Sequence, residues 1–214
     1  MLRVINAGPD LTAAAADVIC EELRARIAVN GSTSIAVSGG STPWPVFERL
    51  SDTAIPWSAV DVFQVDERIA PRGSADRNLT GLSETLLDRV PATAHPMPVD
   101  APDLDAASGW YEAELPPSLD VVHLGLGDDG HTASLVPSDD GLLVDDRAVT
   151  VTGYYRGHRR MTLTRPAIDR AGLIVWIVRG ADKAAMVDRL IAGDDTIPAG
   201  LISQERAVLV TDAI

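Results

Sequence analysis

Leu11, Ala15, Ile19, Leu23 and Ile27 fall four residues apart, a spacing that lays one apolar stripe along a helix and predicts the first element of the chain. The short run Ser34-Ile35-Ala36-Val37 follows and stops at Gly39-Gly40, and Ala59 to Val65 (AVDVFQV) reads as a second buried strand. Leu79, Leu82, Leu86 and Leu87 suggest a helix with Asn78 as its N-cap. Pro91, Pro96, Pro98 and Pro102 mark residues 91–105 as a loop, ahead of a short helix from about Ala106 to Glu114. Asp120 to Leu124 predicts a strand that breaks at Gly125. Ala148 to Val151 and Met161 to Thr164 are weaker strand patterns, and Leu173 to Val178 is the strongest in the chain. A helix from about Ala181 to Ile191 stops at Gly193, and Ala207 to Val210 closes the sheet.

Strands that are apolar throughout, alternating with amphipathic helices, imply a mostly parallel sheet covered on both faces. The expected fold is α/β: a single three-layer, Rossmann-like domain over residues 1–214, with no internal repeat or linker. In such sheets ligands sit beyond the carboxyl ends of the strands, which directs attention to the segments that follow them. Charge narrows the choice of ligand. Lys and Arg number 18 against 31 Asp and Glu, a formal net charge of −13, which disfavours non-specific binding to DNA, RNA or anionic lipid. An anionic ligand would need a local cluster of cations to overcome that background. Lys183 is the one lysine, every other basic residue being Arg. Cys20, the one cysteine, excludes an internal disulfide framework and a Cys-rich zinc site. The start has no basic stretch followed by an apolar one, and no strand-type apolar run is long enough to span a bilayer, so a soluble, cytoplasmic protein is expected.

Three loops could carry chemistry. Ser38-Gly39-Gly40-Ser41-Thr42-Pro43 follows a strand directly; its glycines allow close backbone approach to a ligand, and Thr42 could cap a helix whose first position is Pro43, presenting free N–H groups to an anion. An ordinary strand–helix turn explains the same letters. Asp66-Glu67-Arg68, with Asp76 and Asn78 further on, could hold hydroxyls and a phosphate, or form a surface ion pair. Gly125-Leu126-Gly127-Asp128-Asp129-Gly130-His131 is the most informative: Asp129 lies close enough to orient the His131 imidazole and leave its other nitrogen as a base. His95, His123, His131 and His158 show no metal-ligand spacing, so no metal is expected, and His123 within its strand reads as a satisfied core histidine. No Gly-x-Ser-x-Gly elbow is present, which favours an activated water over a serine nucleophile.

SGGSTP, VDERIAP…DRN, GLGDDGHTASLVP, RMTLT and VRGADK occur in the order found in 6-phosphogluconolactonases, and the chain resembles that family, within the sugar-phosphate isomerase/deaminase superfamily, over about residues 34–200. The resemblance implies a carboxylic-ester hydrolase that converts 6-phospho-D-glucono-1,5-lactone to 6-phosphogluconate in the pentose phosphate pathway, without cofactor or metal. It implies His131 as catalytic base with Asp129 as its partner. Ser38, Gly39, Gly40, Ser41 and Thr42 match the phosphate loop, and Asp66, Arg68, Asn78, Gly127, Arg160 and Lys183 match further substrate-binding positions. The expected partner is the small phosphosugar lactone, with no nucleic acid or membrane, and the expected state is a monomer, with a dimer as the alternative.

Many relatives have Ser-Asn in place of Arg77-Asn78 and Phe in place of Val136, Asp128 fills a variable position, and the chain is somewhat short for the family. Two other functions remain open at this stage. A glucosamine-6-phosphate deaminase would carry a glutamate at the position of Val136, and a non-catalytic sugar-phosphate sensor would have little reason to keep Asp129 and His131 together.

Overall fold

The computed structural model describes residues 2–214. Its main sheet has seven strands, all parallel: β1 (Arg3–Asn6), β2 (Thr33–Val37), β3 (Val60–Gln64), β5 (Thr93–His95), β6 (Val121–Leu124), β9 (Leu173–Val178) and β10 (Ala207–Thr211). The spatial order is β1-β10-β9-β6-β2-β3-β5. A second, antiparallel sheet joins β4 (Asp66–Arg68) to the hairpin of β7 (Val149–Tyr155) and β8 (His158–Leu163) in the order β4-β8-β7.

Alternation along the strands builds two cores. Ile35 and Val37 of β2, with Val175 and Ile177 of β9, face α1 (Leu11–Asn30), α2 (Trp44–Ser51) and α3 (Asn78–Leu82), the last continued by a π-helical turn over Ser83–Leu87. Ala36, Leu124 and Trp176 face the other way, toward α4 (Leu104–Glu114), α5 (Arg165–Asp169) and α6 (Ala184–Ala192), and here Val149, Met161 and Leu163 of the small sheet join the core. Because both faces are covered, β9 can be apolar at every position, which is why it is the clearest strand in the sequence. The result is the three-layer α/β domain expected.

Several expectations are corrected. Ala207–Thr211 does not close the sheet, since β1 lies outside it. β1 and β5 are short edge strands whose exposed faces require no apolar run, and β5 lies between Pro91 and Pro96 inside the predicted loop. The two weaker strand patterns are longer than predicted and belong to the small sheet. Asp66-Glu67-Arg68 is a strand rather than a loop: Val65 still donates to Val37 O in the main sheet, while its own carbonyl accepts from Leu163 N. Thr42 makes no cap bond, because Ser41 to Pro43 form a turn and α2 begins at Trp44. Asn78 is the first residue of α3 and not its cap.

That cap is supplied from another strand. Glu67, wholly buried, accepts from Asn78 N at 2.7 Å and Leu79 N at 2.8 Å, the orphan donors of the first turn of α3. Its oxygens also accept from Arg68 N at 2.8 Å and Gln64 Nε2 at 2.9 Å, and Arg77 Nε lies 3.6 Å away. Glu67→Gln would aim an amide donor at some of these N–H groups and remove the charge that faces Arg77. We expect a loss of about 3–5 kcal/mol, measured as a fall in the urea midpoint; an unchanged midpoint would mean that the carboxylate is not the tie described.

Candidate active site

The strand order places the site. From β2 the chain moves outward through β3 to β5, then returns to β6 on the opposite side of β2 and moves outward again. The loops after β2 and β6 therefore diverge at their carboxyl ends and open a crevice there. A cavity of about 280 Å³ occupies it, close to the lower end of small-molecule sites, roughly 300–1,000 Å³. Ser38, Gly39, Gly40, Ser41, Thr42, Asp66, Arg68, Asn78, Gly127, His131, Arg160 and Lys183 all line it. Asp129 sits behind His131, hydrogen-bonded to it.

The loop after β6 is folded by its own backbone. Gly127 N donates to His131 O at 2.9 Å and Gly130 N to Gly127 O at 3.1 Å, which brings the His131 ring back over Gly127. A Cβ at Gly127 would overlap that imidazole, so glycine is required there by close approach. Asp129 Oδ1 lies 2.5 Å from His131 Nδ1 and accepts from His131 N at 3.2 Å. Its Oδ2 accepts from the Tyr155 hydroxyl at 2.9 Å. Partial burial works against ionisation of Asp129, but these hydrogen bonds outweigh it and hold the carboxyl down at about 2. With Nδ1 committed to a carboxylate, His131 keeps Nε2 as an acceptor. This is the arrangement of a general base.

The loop after β2 owes one of its glycines to a neighbour rather than to a ligand. A Cβ at Gly39 would collide with the Asn78 side chain, whereas Gly40 is needed for its φ of +139°. Asn78 Nδ2 donates to the backbone and side-chain oxygens of Asp66 at 2.9 and 3.2 Å. Asp66 Oδ2 accepts from Ser134 Oγ at 2.6 Å, with Arg160 Nη1 at 3.9 Å. Both Asp66 oxygens are thus engaged.

Five cations line the cavity: the expected Arg68, Arg160 and Lys183, and also Arg156 and Arg179. Burial pulls Arg160 below its usual pKa, with Asp66 acting against that shift. Lys183 is paired with the exposed Asp128, and Arg156 reaches the other Asp128 oxygen at 3.9 Å. Lys183 closes a 3₁₀ turn at the N-terminus of α6, at the position expected. Ser38 Oγ, Asn78 Oδ1, Arg68 Nε, Arg160 Nε and His123 Nε2 are buried without a hydrogen-bond partner, and all five residues line this cavity. His123 is therefore only half satisfied: Nδ1 accepts from Ser38 N at 3.3 Å, and burial holds the ring neutral with a pKa of about 3.

Sequence reasoning missed Tyr155, Arg156, Arg179 and Ser134. Arg179 and Ser134 lie inside quoted motifs; Tyr155 and Arg156 form a hairpin tip just before the Arg160 segment, and an Arg-Gly turn was the signal available. Among the described residues no three His, Cys, Asp or Glu side chains converge as metal ligands.

A family model described as glucosamine-6-phosphate isomerases/6-phosphogluconolactonase matches residues 7–211. A 6-phosphogluconolactonase of Synechocystis sp. is 41% identical over 179 residues, covering 78% of this chain and 74% of its own. One of Nostoc sp. is 37% identical over 208 residues, covering 90% and 86%. The solved 6-phosphogluconolactonase of Trypanosoma brucei superposes with a TM-score of 0.86 at 26% identity, covering 99% of this chain and 96% of that one.

The close approach at Gly127 gives a direct test. Gly127→Ala should push the imidazole off Asp129, and a displacement of about 1 Å at a reacting group can cost ~10²-fold in turnover. We expect that loss in steady-state kinetics, with a thermal midpoint within a few degrees of the parent. Unimpaired turnover would show that His131 can sit elsewhere and still work.

Proposed function

The chain belongs to the glucosamine-6-phosphate isomerase/6-phosphogluconolactonase family, and we propose that within it this protein hydrolyses 6-phospho-D-glucono-1,5-lactone to 6-phospho-D-gluconate, a step of the pentose phosphate pathway. It is a carboxylic-ester hydrolase, as its curated relatives at 41% and 37% identity indicate. The observation that carries the reading is the Asp129–His131 pair, bonded at 2.5 Å, at the edge of a cavity lined by five cations.

In this reading His131 Nε2 takes a proton from a water as the water oxygen attacks the lactone carbonyl. The carbon becomes tetrahedral and its oxygen anionic. Collapse breaks the bond to the ring oxygen, and the proton held on His131 passes to that oxygen, leaving a carboxylic acid that ionises. No covalent enzyme intermediate is needed, because a lactone is already an activated ester. Asp129 keeps the imidazole in the required tautomer and stabilises its charged form. The turn Gly39 to Thr42, with Lys183 and the arginines, holds the phosphate dianion, and the same positive field stabilises the oxyanion. Asp66, both of whose oxygens are occupied, orients sugar hydroxyls rather than accepting a proton.

Position 136 holds a buried valine, so the glutamate that a deaminase would carry there is missing. The reading includes a monomer in the cytoplasm; among the described residues no helix is long and apolar enough to cross a membrane.

Acid release from freshly prepared lactone, followed by pH-stat against the spontaneous rate, tests the assignment. We expect acceleration by the parent and a loss of about 10²–10⁴-fold in His131→Asn. Asp129→Asn should add little to that loss in the double mutant, because the two side chains act as a unit. Ammonia release from glucosamine 6-phosphate would replace the lactonase with a deaminase, and binding of 6-phosphogluconate without any acceleration would replace it with a sensor.

A further inference from the structure

Among the described residues, Tyr155 is the one side chain outside their loop with a polar atom within hydrogen-bond distance of both members of the catalytic pair. Its hydroxyl donates to Asp129 Oδ2 at 2.9 Å and lies 3.3 Å from His131 Nδ1. Its ring stands edge-on to the imidazole, with centroids 5.1 Å apart and planes 62° apart. We propose that Tyr155 is a positioning residue of the hydrolytic site, fixing the plane of the Asp129 carboxylate so that Oδ1 faces His131 and Nε2 faces the cavity. The proposal rests on the reading of His131 as the base.

The need for such a clamp follows from the exposure of Asp129. Its side chain is 36% exposed, so a carboxylate held through Oδ1 alone could rotate and exchange partners with water. A second donor on Oδ2, from a different element, removes that freedom. The donor is itself well fixed. Arg156 and Gly157, with φ of +47° and +88°, form the two-residue turn between β7 and β8, both in the left-handed region that a type I′ hairpin demands. The register of β7 against β8 shifts between Thr152 and Tyr155, an irregularity of the kind that re-aims a side chain. Tyr154 is left 80% exposed, while the Tyr155 hydroxyl reaches the loop after β6. The guanidinium carbons of Arg156 and Arg160 each lie 5.2 Å from the Tyr155 ring centroid, and Arg160 Nη2 is 3.5 Å from the Tyr155 carbonyl oxygen. The ring is therefore held between the base and two of the cavity's cations.

The hydroxyl acts as a donor and not as an acid or nucleophile. Its proton is committed to Asp129, and burial together with the adjacent carboxylate raises the phenol above its ordinary value, so it stays protonated across the working range. Removing it should leave the Asp129 carboxylate free to rotate, so that Oδ1 faces His131 Nδ1 for less of the time and Nε2 is aimed less well into the cavity. The other charged groups at the cavity are Asp128 on the same loop, Arg156 and Arg160 on the hairpin, Arg68 and Asp66 on β4, Arg179 after β9 and Lys183 before α6. A change of Tyr155 to Phe alters none of these and keeps the ring.

The test is Tyr155→Phe, with kcat and KM taken separately and the Nδ1 proton of His131 followed by NMR. We expect a fall in kcat of roughly tenfold, as for removal of an orienting partner, with KM changed less than about twofold because the hydroxyl does not bind substrate. The Nδ1 proton signal should broaden as the bond to Asp129 becomes mobile. If a folded Tyr155→Phe protein keeps its kcat and a sharp Nδ1 signal, the proposal is overturned. Should His131→Asn also keep full turnover, the assignment of the base fails first. If His131→Asn is inactive and Tyr155→Phe is normal, only the role of Tyr155 fails.

Discussion

The carboxylate of Glu67 is the point through which the two sheets and α3 are tied together. Desolvating such a charge costs several kcal/mol, which only close compensation can offset. Here the compensation is three backbone N–H groups, the Gln64 amide and the adjacent Arg77. Those partners are also the residues that shape the cavity or stand next to those that do. Arg68 and Asn78 are held by their own backbone nitrogens, and Asn78 in turn holds Asp66 and packs against Gly39. A buried charge in a structural role thus sets the geometry of a site it does not touch.

The electrostatics of the molecule work on two length scales. The net charge of −13 repels an anionic substrate at a distance, but at physiological salt exposed charges are screened within about 8 Å. Inside the crevice the nearest charges decide, and there five cations line the wall against the single carboxylate of Asp66. Such a cluster carries its own repulsion, which the hydrogen-bonded Asp66 and the carboxylate of Asp128 relieve.

The parts of this fold that were legible in the sequence are those in which burial leaves a mark on composition. β2, β6 and β9 are apolar on both faces and are followed at once by glycine-rich or charged loops, so the crevice could be located before its walls were known. β1, β4 and β5 leave no such mark, being three or four residues long and at sheet edges, with β4 polar in every letter. The site residues named from motifs converge because the motifs follow strand ends. Tyr155 escaped notice because its importance arises from a register shift between two strands, and no local pattern records where that shift aims a side chain. The close packing of Gly39 against Asn78 left no local mark either, since the two are distant in sequence.

The pairing of Lys183 with Asp128 bears on how the reaction ends. Hydrolysis creates a carboxylate, so the product leaves with one more negative charge than the substrate brought. A wall of five cations would hold that more anionic species tighter than the substrate, and departure would then limit every cycle. Asp128, exposed and reaching both Lys183 and Arg156, is an anion that the protein carries itself and that would be available to those cations as a bound anion leaves. If Lys183 and Arg156 take the phosphosugar, binding would be an exchange of one anion for another, weaker than direct capture and correspondingly easier to reverse.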